Sequence, residues 1–576
     1  MRVKHKFVAT LPEGTNPLKV KSSNWNDDLD IYNPPSISTA DYNFEAQFPG
    51  GLLTAGITNS ITLSPVPKGV NGTNANHYLL ISGGSGTQEA VLITGGTAVS
   101  EADSGTLTFI PAYNHSGAWQ ISSATAGCQE AIRGNTQNKL IKFPIGEVAT
   151  YAPINVDVEH SRISGSGDSS IRNEVGVMFN ITAGFVEISH LCLIGLRTAG
   201  SIGIQCSGIQ CYLHHLKMLT FDGAIRIHGG FHTMISYIFS RNMLTYGILL
   251  EDGVGHTVSF FSIATDTGVF EGPTTAGIIV RTEGCMLSHL DILHPNAGIL
   301  IQPISRHIEW LHVDFSYIDN CISHCILIQN NSATWYVRGL VFERIWMATS
   351  GYASNSTIGH GLFIEGTGDI HTLEFVNCWI HNHYDDAVKI FKGTDLRFVN
   401  CRFMGGNAEG DTGQDLVYSE TTGTIDFIEC EFGNSQLWTE VHRAYLTFGA
   451  TAGRANIKNC KFDTTIASGS RLQNFASTPE NIRNFGFNEG LDNDYQSIPS
   501  ASIITTQVGF SYNLTGNTNI DNIFPIWEDR KMRLRNAGSG NITLNTGANI
   551  KNSITLAVGE TCKAEFIYDK WLLYKG

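Results

Sequence analysis

One pattern constrains this chain more than any motif in it. Between about residues 150 and 465, short apolar–x–apolar runs recur in pairs, each pair split by a single residue where the alternation slips by one. Val186, Ile188, His190, Leu191 and Leu193 form one such unit, and Cys211, Leu213, His215, Leu216 and Met218 the next. Alternation with period two marks a strand with one buried face. A slip of one residue, with inward side chains on both sides, needs an unusual backbone such as the left-handed region, which Asn enters more cheaply than most residues. The bends read as His160, His190, His215, Tyr237, Ser262, His289, His312, Arg344, Asn377, Asn400, Glu429 and Asn459, spaced 22 to 33 residues apart. A variable connector then leads to a third strand opened by a small residue, as in Gly247-Ile-Leu-Leu, Gly277-Ile-Ile-Val, Gly298-Ile-Leu-Ile, Gly361-Leu-Phe-Ile and Ala387-Val-Lys-Ile.

Three strands per repeat cannot bury an apolar side alone; stacking repeats ~4.8 Å apart buries it against neighbours. The expectation is an all-β chain dominated by a right-handed parallel β-helix of about 12 coils. Composition agrees, with 42% hydrophobic residues, only 15% charged and 60 Gly in 576 residues. Residues 1–45 read as an extended polar segment. Residues 46–125 read as a small β domain, with strand-like runs HYLLIS, EAVLIT, TLTFIP and AWQIS between Gly-rich turns. The β-helix is expected over 126–495, its open end capped by a short helix at SATAGCQEAI, and a C-terminal β domain over 496–576.

A net charge of −15 with no basic block disfavours nucleic acid as a partner. No apolar run approaches ~18 residues, so no membrane insertion is expected, and the N-terminus has no signal-peptide h-region. Cys378, Cys401, Cys430 and Cys460 recur once per repeat in like contexts, as small hydrophobes in a core ladder, which points to assembly in a reducing cytoplasm. His and Cys spacings give no metal motif, and no cofactor is expected.

Two stretches carry a family resemblance. Phe143-Pro144-Ile145-Gly146 and Ile163-Ser164-Gly165-Ser166-Gly167 resemble the opening of the pectate-lyase-like β-helix as used in bacteriophage tailspikes. The tail end, with Thr515-Gly516 and Asp569-Lys570-Trp571, resembles the small β domain appended to such spikes. The resemblance implies a homotrimeric virion protein that recognises, and often cleaves, bacterial capsule or O-antigen polysaccharide, attached to the phage tail or baseplate through its N-terminal region. An internal stripe of outward apolar residues (Leu249, Ile279, Leu300, Leu327, Phe363, Val417, Leu446) is expected to be covered by self-association or by a loop of the same chain.

Chemistry is expected where outward residues stack. In the column after each bend, Asp291 and Asp314 fall on successive coils, followed by Trp346, Trp379 and Arg402. Carboxyls one rung apart approach the spacing of retaining glycosidases, and one pKa should rise. Glu343 adds a third carboxylate, and the indoles offer faces for sugar rings. The bland alternative is solvated aspartates and a subunit contact. A second constellation precedes the third strand: His324, His360, Asp386, Gln414 and Arg443. Asn382-His383-Tyr384-Asp385-Asp386 resembles the paired-Asp strand of polygalacturonases, and Gly359-His360-Gly361 their Gly-His-Gly strand. The order is reversed and the Asn-Thr-Asp and Arg-Ile-Lys partners are missing, so that mechanism is not inherited. Asp385, Asp386 and His360 remain a candidate site, against the alternative of turn aspartates bonding their own backbone. A groove between Asp314 and Asp415 is expected to join both clusters. Hydrolysis is expected over β-elimination for want of an Arg/Lys cluster. A non-catalytic receptor-binding tail protein and a cellular polysaccharide lyase are the alternatives.

Overall fold

The computed structural model describes residues 36–575, apart from 75, 136–138, 266–271, 352–358, 406–413, 434–442, 464–469, 476–481, 486–487, 492–495, 507–510, 525 and 527–529. Most of the extended N-terminal segment lies outside these residues. The chain divides into two compact units, residues 1–151 with 158–169, and residues 152–157 with 170–576.

The first unit holds a six-stranded sheet in the order Glu45–Phe48, Trp119–Ser123, Tyr78–Gly83, Glu89–Gly95, Gly105–Phe109, Asn59–Leu63. Alternate residues of these strands (Leu79, Ile81, Leu107, Phe109, Trp119, Ile121) form its core. The expected short helix is Cys128–Gly134; Glu130 on it is fully buried, meeting His77 at 3.1 Å and the Ser123 and Thr125 hydroxyls.

The second unit is the β-solenoid, a right-handed parallel β-helix of about 13 turns. Each coil contributes a strand bent at one residue, such as Glu187–Ile194, Tyr212–Leu219 and Met234–Arg241, paired in register with its neighbours. The third strands form a separate 13-stranded sheet running from Ile154–Val156 to Ser470–Asn474. Left-handed backbone occurs at the bends His190, His215, Tyr237, His289, Arg344, Asn377, Asn400, Glu429 and Asn459, with φ between 51° and 56°.

Two bends differ from the sequence reading. They are Phe260 and Phe315, not Ser262 and His312. Polar Ser316 occupies the inward position that Leu290 and Ile345 hold on neighbouring coils, so the apolar pattern misdirects by three residues there. His312 instead lies level with Val341, away from the edge shared by Arg344, Asn377 and Asn400.

The bends also show why His, Tyr and Phe are tolerated in a conformation that disfavours bulky residues. His190, His215, Tyr237, Phe260, His289 and Phe315 stack ring on ring with centroids 4.6–5.4 Å apart, and the Arg344 guanidinium closes the ladder 3.7 Å from the Phe315 centroid. Ring stacking at ~0.5–1.5 kcal/mol per pair offsets a left-handed cost of ~1–2 kcal/mol. Inside the coils, Phe342, Phe375, Phe398 and Phe427 stack at 4.6, 4.8 and 5.3 Å. Beside them, each of Cys378, Cys401, Cys430 and Cys460 donates its thiol to a carbonyl one coil below at 3.3–3.4 Å, and all twelve cysteines are free.

The outward apolar stripe is not exposed. Leu249, Ile279 and Leu300 are 2–7% accessible in the single chain, and Val417 and Leu446 point inward. The column's true members after Phe363 are Lys389, Tyr418 and Thr447. Farther along the chain, a second core gathers Tyr512, Leu514, Met532, Leu534, Phe566 and Trp571 under a five-stranded sheet. Among the described residues, no helix is long and apolar enough to cross a membrane.

Candidate functional site

The corrected register separates residues that the sequence reading had joined. Asp291 pairs with Tyr317, and Asp314 pairs with Glu343 on the far side of the bend. Asp291 is exposed and accepts a hydrogen bond from Ser262 at 3.2 Å, and the Asp291/Asp314 acid pair does not form. Asp314 is instead clamped by Arg344, Nε to Oδ1 at 3.1 Å and Nη2 to Oδ2 at 2.9 Å, and Arg344 also reaches Glu343 at 3.2 Å. His312 lies 3.8 Å from Glu343. The guanidinium already occupies the place a cation would take in this trio of His312, Asp314 and Glu343.

Trp346, Trp379 and Arg402 do share one column, between Tyr317 and Glu431. The indole centroids lie 5.0 Å apart, Arg402 sits 5.0 Å over Trp379, and His381 meets Trp346 edge-on at 4.3 Å. The two indoles are tilted 45° to one another, and with Arg402 and His381 packed against them they form a mixed cluster rather than an open platform.

The second constellation converges more closely than the sequence reading allowed. Leu362 pairs with Val388, and Val388 with Val417, so His360, Asp386 and Asp415 occupy successive rungs of one column above His324. Gln414 and Arg443 were each read one residue out of register; the true members are Asp415 and Ala444. Asp386 and Asp385 are almost inaccessible, at 3% and 2%. Asp386 Oδ1 accepts the Asp415 backbone N–H at 2.6 Å, and Lys389 Nζ lies 3.1 Å from its Oδ2. Asp415 is held by Arg443, Nε to Oδ1 at 3.0 Å and Nη2 to Oδ2. His360 donates Nδ1–H to the Asp386 carbonyl at 3.0 Å, which turns Nε2 toward Asp385 Oδ2 at 3.5 Å.

Burial sets the protonation here. It disfavours the charged form of Asp386 and, with the Asp385 and Asp415 charges, outweighs Lys389, pushing the carboxyl up to about 7. Burial likewise pushes His324 down to about 4 and His383 down to about 3, and holds His360 well below the ordinary histidine range. The imidazoles are therefore neutral, and Asp386 is a carboxylic acid that holds its proton near neutrality. His360, Asp385 and Asp386 have a metal-like spacing, but the Lys389 ammonium is already seated against both carboxylates.

Asp386 opens onto a cleft of about 260 Å³ that is also lined by Lys389, Phe391, Gln414, Tyr418 and Arg443. Neither tryptophan lines it, nor does Asp314, so the expected single groove from Asp314 to Asp415 is not formed by this cleft. Lys389 and Tyr418 were missed because Val417 was counted as outward. Their signal was available: each alternates with an inward apolar neighbour, Val388 or Val417.

No family model matches the chain, and no curated protein matches it. Among solved structures it is similar to the Dettilon tailspike protein, at 11% identity over 62% of this chain and 65% of that one, TM-score 0.42. Tailspike protein 3 of bacteriophage CBA120 matches at 10% identity over 66% and 60%, TM-score 0.38. The catalytic unit of a GH87 α-1,3-glucanase from Streptomyces thermodiastaticus strain HF3-3 matches at 12% identity over 77% and 89%, TM-score 0.30. The chain thus spans less than two thirds of either tailspike. It is a right-handed parallel β-helix, and fold is the level at which it is similar to phage tailspikes.

Proposed function

We propose that this chain binds a bacterial surface polysaccharide and cleaves it in the Asp386 cleft. The observation that carries the reading is a buried carboxyl that keeps its proton to about pH 7 while facing an open, polar cleft. A group so tuned is suited to protonate a leaving glycosidic oxygen at neutral pH. Arg443, Gln414, Lys389 and Tyr418 supply hydrogen-bonding groups around it for sugar hydroxyls or acidic substituents. Asp385 and Asp415 raise the Asp386 carboxyl by their charge, and Lys389 balances part of that charge.

A specific observation favours a second reading. Lys389, Arg443 and Tyr418 converge on the cleft, which removes the reason for setting β-elimination aside. In that reading the cations neutralise an acidic sugar and the product carries an unsaturated end. The reading extends to a phage tail component, assembled in the host cytoplasm as a homotrimer and attached through its N-terminal region; three copies are expected by solution mass.

The test is incubation with purified capsular and O-antigen polysaccharides, scored by new reducing ends and product mass. Hydrolysis adds one water per cut, and elimination adds none. Asp386→Asn is expected to abolish either product. Saturable glycan binding with no product, unchanged in Asp386→Asn, would establish a receptor-binding protein without catalysis.

A further inference from the structure

We infer a second carbohydrate-binding site, centred on Trp310 and separate from the Asp386 cleft; it extends the proposed polysaccharide function. Trp310 is 69% exposed, more than any other tryptophan among the described residues, and sits in the left-handed region at φ 57°. Both features are costly: a bulky side chain is strained there, and the indole is left in water. The same corner on neighbouring coils is Gly255, Gly284 and Gly339, at φ 74°, 67° and 66°. The backbone ladder puts Gly284 directly below, its N–H bonded to the Glu309 carbonyl, and Gly339 directly above, following the Arg338 carbonyl that Trp310 N–H meets at 3.4 Å. The indole lies over Gly339, where even a Cβ would come within 3.4 Å of its ring. One face therefore rests on bare backbone, and no side chain on the adjoining rungs stands at the corner to cover the other. This differs from Trp346 and Trp379, which pack against each other and against His381 and Arg402.

The surroundings favour a sugar. Next to Trp310, the Glu309 carboxylate accepts the Tyr336 hydroxyl and lies 2.9 Å from Arg338 Nη2, and Arg338 sits 4.6 Å over the Tyr336 ring. Tyr336 stacks on His307 at 3.6 Å. The Tyr336 hydroxyl, with Arg338, holds the Glu309 carboxyl below its usual range, so it remains an acceptor at neutral pH. A flat apolar face beside a fixed acceptor and a guanidinium donor matches a pyranose ring, which offers C–H groups on one face and hydroxyls at its edge. A protein-docking patch would continue the apolar surface; here the rim is charged and planar. The site lies at the corner between Ile308–Glu309 and His312–Asp319, in the sheet of bent strands, and the Asp386 cleft lies at the start of a third strand three coils on. Three coils separate the two sites by ~14 Å along the axis at ~4.8 Å per coil. Two sites on one polymer raise the effective concentration at the cleft.

The experiment measures retention of the wild type, Trp310→Ala, Trp310→Phe and Asp386→Asn on an immobilised panel of purified bacterial capsular and O-antigen polysaccharides. For any polysaccharide the wild type retains, Trp310→Ala is expected to bind at least about tenfold more weakly at an unchanged melting temperature, with Trp310→Phe intermediate and Asp386→Asn still retained. Equal retention of wild type and Trp310→Ala overturns this inference alone. Unchanged retention with an altered solution mass for Trp310→Ala overturns it in favour of a protein contact. Failure of the wild type to bind any polysaccharide overturns this inference together with the proposed function.

Discussion

Replacing Asp386 by Asn separates the protonation argument from the catalytic one, because stability can be read without any substrate. In the folded chain the carboxyl is pushed from 3.8 up to about 7, chiefly by burial. The folded state therefore holds this proton over a pH range in which the unfolded chain has released it. Stability falls as pH rises wherever the folded state binds more protons. The loss begins near pH 4, accumulates to about pH 7 and is complete above that. At ~1.36 kcal/mol per unit, a shift of about three units sets a ceiling of ~4 kcal/mol. Asn cannot ionise, so its stability relative to wild type should climb by up to that amount from pH 4 to pH 8. The altered contact with Lys389, 3.1 Å away, adds an offset that varies little over this range, so the slope is the diagnostic. Urea midpoints of both proteins at half-unit pH intervals give that slope. A wild-type-minus-variant difference that stays flat, or moves the other way, would show that Asp386 ionises like a surface aspartate and would remove the proposed general acid.

Two further predictions concern the scaffold. Phe398 is fully buried with rings stacked at 4.8 and 5.3 Å on either side, so Phe398→Ala should destabilise the solenoid by ~3–5 kcal/mol, read from urea midpoints. Asn400 has φ 51° and donates its amide to Asn377 Oδ1 at 2.6 Å; Asn400→Ala should cost ~1–2 kcal/mol and Asn400→Gly less, and equal losses would refute the left-handed-bend argument.

The coil repeat was legible because an inward strand face must be apolar at every second residue, and a bend resets that count visibly. It failed on one coil where the inward residue was polar. Ser316 broke the count, moved the bend from Phe315 to His312, and so carried Asp314 into a column that belongs to Tyr317. The His360–Asp385–Asp386 grouping was legible because His360 and Asp386 stand at the equivalent starts of two successive third strands. Lys389 and Tyr418 were legible in the same local alternation, and were missed because the count put Val417 rather than Tyr418 outward. The His and Arg bends were less well explained from sequence, since their cost is met by the next coil's ring rather than by anything local.

That dependence on the neighbouring rung bears on where function sits in such a molecule. A column that repeats one chemistry satisfies itself: rings cover rings, Asn amides bond to each other, and Leu249, Ile279 and Leu300 bury one another even on an outward face. Groups are left for a ligand where a column changes character. On the third face both outward columns change within the same few rungs. One passes from Ala276 and Ala297 through His324 and His360 to Asp386 and Asp415; the other passes from Leu327 and Phe363 to Lys389 and Tyr418. The cleft opens at that junction. Trp310 follows the same rule at a different corner, as a large ring interrupting a column of glycines. Extending the apolar column by Tyr418→Phe should therefore cut product formation with little loss of stability, whereas Lys389→Leu, which also strips the buried Asp385 and Asp386 of their cation, should lower product formation and stability together.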